Sequence, residues 1–189
     1  MPLDFEDIEG TAGQDNTAGI QQNIYLVDFK DVLTHPTFPK IEDGTDLASL
    51  ATVTSNLVLK PTKKAHQLYC TLEAGAATSD SQGELDGMSF KNGLKFLIPG
   101  NKANADGFVR LAKNGSFYLI YFEQDGTVRI LGHPGYPAKM ASAPGTSGEK
   151  TSDRKGRTIT FQSVWSGPAP VFEGKVMVDT VEQVLVYLA

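Results

Sequence analysis

The chain has 189 residues, of which 40% are hydrophobic and 21% charged. This is the balance of a folded protein with one well-buried core, and no apolar run is long enough to cross a bilayer as a helix. Its formal net charge of −5 argues against a protein that grips nucleic acid, because that affinity comes from Lys and Arg neutralising phosphates.

The charge is uneven. Residues 1–46 carry ten acids against Lys30 and Lys40, a net of −8, whereas the rest carries 15 bases and 12 acids, a net of +3. An acidic N-terminal region and a mildly basic body are complementary surfaces that can steer one copy onto another; a solvated acidic tail is the plainer reading.

Residues 1–22 hold Gly10, Gly13 and Gly19 among polar residues without periodicity and predict an N-terminal arm. Met1 to Gly19 lacks a basic start followed by an apolar stretch, so no secretion signal is expected. Residues 23–189 read as one domain. Asn23 to Phe29 predicts a strand that is apolar on both faces, as for one covered from both sides. Leu33 to Asp46, with Pro36, Pro39 and Gly44, predicts a loop. Leu50 to Lys60 and His66 to Glu73 predict strands, and Ala74 to Gly83 a small-residue polar loop.

From Leu85 to Ile98 two patterns compete. A hairpin turning at Asn92-Gly93 would put apolar and charged side chains on the same face. A continuous strand instead aligns Met88, Phe90, Leu94, Phe96 and Ile98 on one face and Ser89, Lys91 and Lys95 on the other. The alternation favours the strand, with Gly93 as a bulge or bend and a polar face toward solvent, a channel or a neighbouring subunit.

Asn104 to Lys113 predicts a helix capped by Asn104, with a stripe of Phe108, Leu111 and Ala112 and a left-handed end at Gly115. Phe117 to Phe122 and Thr127 to Leu131 predict a hairpin closed at Asp125-Gly126 by a favoured two-residue turn. Residues 132–156 predict a long Gly/Pro-rich loop, and a loop of that length is functional or disordered. Arg157 to Trp165 and Lys175 to Val178 predict strands. The end of the chain fits a helix through Val181, Val184, Leu185 and Leu188, or a strand through Val184, Val186 and Tyr187, which β-propensity favours. The sum is an α+β, mainly β fold: an antiparallel sandwich or barrel of about nine strands with one short flanking helix and long loops.

Chemistry is sparse. His35, His66 and His133 have no Cys, Glu or His at a ligand spacing, so no metal is expected. No nucleophile elbow, phosphate-cradling loop or dinucleotide fingerprint occurs, so no catalytic or cofactor-binding residue is expected either. Asp80, Glu84 and Asp86 lack calcium-loop spacing and read as a solvated loop. Cys70, alone in an apolar alternation, reads as a small core residue. Trp165 with Tyr118, Tyr121 and Tyr136 offers a sugar-stacking surface, although aromatics in phase with Ile159 and Phe161 read as core. The cluster Asp153, Arg154, Lys155 and Arg157 is the candidate subunit interface; contact with DNA phosphates and a charged, soluble turn are its other readings.

Three segments, GIQQNIYLVDF, ELDGMSFKNGLKFLIPGNKANADGFVRLAKNGSFYLIYFEQDGTVRILGHPGYPAKM and GRTITFQSVWSGPAPVFEG, together resemble the tail tube (major tail) proteins of tailed bacteriophages, in particular divergent versions from phages of Bacteroidetes hosts. The resemblance lies in order and texture: a strand ending Ile-Pro-Gly, a small helix, an apolar hairpin closed by Asp-Gly, a long loop, then Gly-Arg-Thr-Ile-Thr-Phe. It implies a virion protein made in the host cytoplasm. It also implies stacked hexameric rings around a channel for genomic DNA, contacts with other tail proteins and no cofactor. A capsid decoration or head-tail completion protein, or a carbohydrate-binding β-sandwich module, is the alternative.

Overall fold

The computed structural model describes residues 5–8, 10, 12–13 and 17–185. In chain order its strands are β1 (Ile20–Asp28), β2 (Val32–Thr34), β3 (Thr52–Val53), β4 (Leu57–Leu59), β5 (His66–Tyr69), β6 (Ala76–Gln82) and β7 (Ser89–Pro99). The helix α1 (Ala103–Ala112) follows, then β8 (Phe117–Glu123), β9 (Val128–Leu131), β10 (Lys139–Ser142) and β11 (Gly145–Thr146). The last four are β12 (Gly156–Trp165), β13 (Val171–Phe172), β14 (Val176–Val178) and β15 (Val181–Glu182).

These strands form three sheets. A six-stranded sheet, β3-β13-β9-β8-β1-β5, lies between a five-stranded sheet, β10-β12-β7-β6 with β11 on β12, and a four-stranded sheet, β15-β14-β4-β2. The period of two along each strand explains the layering. Ile24 and Leu26 of β1, with Leu119 and Tyr121 of β8, pack on Leu94, Phe96, Ile159 and Phe161 of the five-stranded sheet. Their neighbours Tyr25, Val27, Tyr118 and Ile120 pack on Val32, Leu57, Leu59 and Val176 of the four-stranded sheet. Burying each of these large side chains contributes about 1.5–3 kcal/mol. The two apolar faces read from Asn23 to Phe29 are therefore both used. The architecture is mainly β with one helix, in open layers without a closed barrel.

Several elements differ from expectation. The first strand begins at Ile20, inside the 1–22 segment, because Ile20 pairs with Glu123 and is buried. Leu50 to Lys60 is broken into β3 and β4, each only two or three residues long. His66 to Glu73 keeps strand form only to Tyr69. Ala74 to Gly83 is not a loop: β6 lies there, held by seven register pairs with β7. Gly93 makes no bulge, since both ladders of β7 run through it unbroken.

Asn104 does not cap α1; the cap position is Lys102, without a side-chain bond. Leu111 is exposed, and Phe108, Val109 and Ala112 carry the apolar contact instead. Gly115 keeps a negative φ and takes no left-handed form. The β8–β9 hairpin closes through three residues, with Glu123 N–H donating to the Thr127 carbonyl and Gly126 at φ +90°. Only Gly126 in that turn is left-handed, so it is the three-residue type rather than a primed two-residue turn. Within residues 132–156, β10 and β11 pair with β12. Two pairings, β13 with β3 and β14 with β4, are parallel in an otherwise antiparallel arrangement. At the C-terminal end β15 is a strand, Val184 and Leu185 lie outside any element, and residues 186–189 lie outside the described residues.

Candidate assembly surface

The inner face of the five-stranded sheet is core, so its outer face is what the fold presents to the surroundings. Register places Lys91, Gly93, Lys95 and Leu97 of β7 on that face, beside Val164, Gln162, Thr160 and Thr158 of β12. On the other side stand Ala76, Thr78, Asp80 and Gln82 of β6, and across β12 stands Lys139. The surface is a polar array of Thr, Gln and Lys, with Asp80 directly opposite Lys91. The expected amphipathic strand is present only from Ser89, with Leu85 to Met88 outside it and both Leu85 and Met88 exposed, and its polar side is basic although the whole chain is acidic. Gly93 is needed here by space: a Cβ on it would meet Thr78 Oγ1 at 2.8 Å.

Strand β6 ends this sheet. It is seven residues long, exposed from Thr78 to Gln82, runs without a register shift, and contains no Pro or Lys. Edge strands are normally blunted by Lys, Pro, bulges or shortness, because their free N–H and C=O groups template pairing with another chain. β6 carries a single charge, Asp80, and otherwise uses none of these devices. The opposite side of the sheet is blunted: β11 has two residues, and the pairing of β10 shifts register between Met140 and Ser142. Inward, β6 is held by Ser79, whose hydroxyl donates to Asn92 Oδ1 at 2.6 Å; the buried Asn92 donates in turn to the Gly167 carbonyl at 3.0 Å. The sequence hid this strand because Ala, Ser and Asp disfavour sheet, and only pairing with β7 imposes it.

The four interface candidates have different surroundings. Asp153 closes its own turn, accepting from the backbone N–H groups of Lys150 and Glu149 at 2.8 and 2.9 Å; those bonds lower its pKa from the ordinary carboxylate value. Arg157 is half-buried and donates to Asp106 Oδ1 at 2.6 Å and to the Ala143 carbonyl at 2.8 Å. Arg154 and Lys155 are exposed. Arg154 also lines a groove of about 470 Å³ at the Pro99 end of the outer face, with Lys95, Leu97, Ala76, Thr158 and the segments Glu73–Gly75 and Pro144–Thr146.

Of the remaining candidates, Tyr136, His35 and His66 are exposed and the others discussed below are buried or half-buried. Tyr118 and Tyr121 are fully buried and burial raises both phenol pKa values, so they cannot stack on a sugar with Tyr136, which is exposed. Trp165 sits edge-on to Phe38 at 5.7 Å between ring centroids. Cys70 is buried in the first core, which raises its thiol pKa. His35 Nδ1 lies 3.0 Å from the Tyr118 hydroxyl, His66 opens β5, and His133 Nδ1 accepts from the Gly135 N–H at 3.0 Å. Among the described residues, no group of three or more His, Cys, Asp or Glu side chains is placed to hold a metal ion, and no helix is long and apolar enough to cross a membrane. Compared with models of protein families, with curated proteins and with solved structures, the chain gives no match.

Proposed function

We propose that this chain is a self-assembling structural subunit whose sheets are completed by those of neighbouring copies. More particularly, it is a building block of a bacteriophage tail tube, in which hexameric rings stack around a channel for the genome. The observation that carries the self-assembly is the unprotected edge of β6, a straight seven-residue strand with open backbone groups on one side. An isolated soluble protein pays for such an edge in aggregation, whereas a subunit uses it to add a neighbour's strand. A ring requires that β6 of one copy meet a different surface of the next, a head-to-tail contact that closes, whereas β6 meeting β6 gives only a dimer. The six-fold number and the virion setting rest on the sequence resemblance.

On this reading the outer face of the five-stranded sheet looks into the channel. Lys91 and Lys139 are spread among neutral Thr and Gln, giving weak, salt-screened contact with passing phosphates rather than a fixed grip. Sedimentation velocity over a range of protein concentrations tests the assembly. A shift from monomer to one large closed species supports it; a monomer at every concentration rules it out.

A further inference from the structure

We infer that the groove at the Pro99 end of the five-stranded sheet receives the N-terminal segment around Phe5 and Ile8 from a second copy of the chain. This rests on the self-assembly proposed above and names one of its contacts. Residues 4–9 read Asp-Phe-Glu-Asp-Ile-Glu, two large apolar side chains set among four acids. In the single chain Phe5 and Ile8 are 101% and 92% exposed, without a surface to cover them. The groove offers the complement. Its lining includes half-buried Leu97 and Ala76 and exposed Lys95 and Arg154, and Glu73 is its one acid. At about 470 Å³ it is in the size range that encloses a ligand or a few side chains. Apolar anchors would pack on Leu97 and Ala76 while the flanking carboxylates meet the two cations, the arrangement in which charge sets register and on-rate.

The geometry also allows delivery. Gly75, on the groove wall, lies so close to Ile20 that an added Cβ would meet that side chain at 2.5 Å. The start of β1 therefore lies next to the groove wall. Fifteen residues separate Phe5 from Ile20 and span up to about 50 Å when extended, enough for an adjacent copy. Phe5 and Ile8 stay exposed in one chain despite that proximity, which points to a groove on the neighbour.

The test uses full-length protein with Phe5→Ala and Ile8→Ala as receptor and a fluorescent peptide of residues 1–19 as probe, followed by polarisation. Saturable binding is expected, weakened at least about tenfold by Arg154→Glu with Lys95→Glu, weakened by salt, and strengthened by Glu73→Gln. A peptide that fails to bind this receptor, or binds equally to the charge-reversed one, overturns the inference. So does a wild-type chain that remains monomeric with its groove already closed to the peptide, since the segment then docks on its own chain. Rings that form from the Phe5→Ala, Ile8→Ala chain as readily as from wild type also overturn it while leaving the self-assembly standing.

Discussion

Arg157 and Asp106 meet at 2.6 Å, joining the start of β12 to the first turn of α1. The same guanidinium donates to the Ala143 carbonyl, so one side chain ties the helix, the long 132–156 segment and the sheet. Arg157→Ala is expected to cost about 1–2 kcal/mol, because a half-buried charged donor with two partners is lost. Asp106→Asn, at a more exposed site, is expected to cost under about 1 kcal/mol. Urea midpoints of both single variants and the double variant measure this; full additivity would show that the pair is not coupled.

Gly132 lies just after β9 at φ +112°, and a Cβ there would stand 2.7 Å from the Phe117 carbonyl. Neither the backbone conformation nor the neighbouring backbone oxygen can adapt cheaply. Gly132→Ala is expected to destabilise by about 2–4 kcal/mol, combining left-handed strain with overpacking. Thermal unfolding checks it, and an unchanged midpoint would contradict the crowding.

How much of this was legible beforehand follows from where the stabilising contacts lie. The doubly apolar β1, the alternation of β7 and the β8–β9 hairpin were readable because their burial patterns are written in their own residues. β6 was not: Ala76 to Gln82 has no sheet-forming side chain beyond Thr78 and becomes a strand only by pairing with β7. The same holds for β10 and β11, which β12 recruits from a Gly/Pro-rich stretch. Of the four interface residues, spacing in the sequence could not separate exposed Arg154 and Lys155 from Asp153 and Arg157. Asp153 is engaged by the backbone N–H groups of Lys150 and Glu149, close by in its own turn, and Arg157 by Asp106 and the Ala143 carbonyl, which only the fold brings near.

His35 couples stability to pH. Its ring packs against Phe29 and Tyr118, and burial lowers its pKa below the usual 6.5. Burial lowers His133 in the same direction. The unfolded chain therefore takes up protons first. Stability from these groups is complete above about pH 6.5 and falls as pH drops from there through the lowered folded values. Between pH 7.5 and 5.0 the urea midpoint of wild type is expected to fall more than that of His35→Gln with His133→Gln; equal falls would assign the pH dependence elsewhere.

Strand β6 can be blunted without touching the core. Thr78 and Gln82 are exposed and point to the outer face, so Thr78→Lys with Gln82→Lys adds two charges to the edge while keeping Ser79 on Asn92. The variant is expected to stay folded, with a urea midpoint within about 1 kcal/mol of wild type, because surface substitutions of this kind have small effects.

Negative-stain electron microscopy of concentrated wild-type protein beside that edge variant tests self-assembly through β6 most directly. Six-fold rings or hollow tubes from wild type, and dispersed single particles from Thr78→Lys with Gln82→Lys, are the predicted result. Wild-type protein that shows only single particles at every concentration, or tubes that form equally well from the variant, would contradict it.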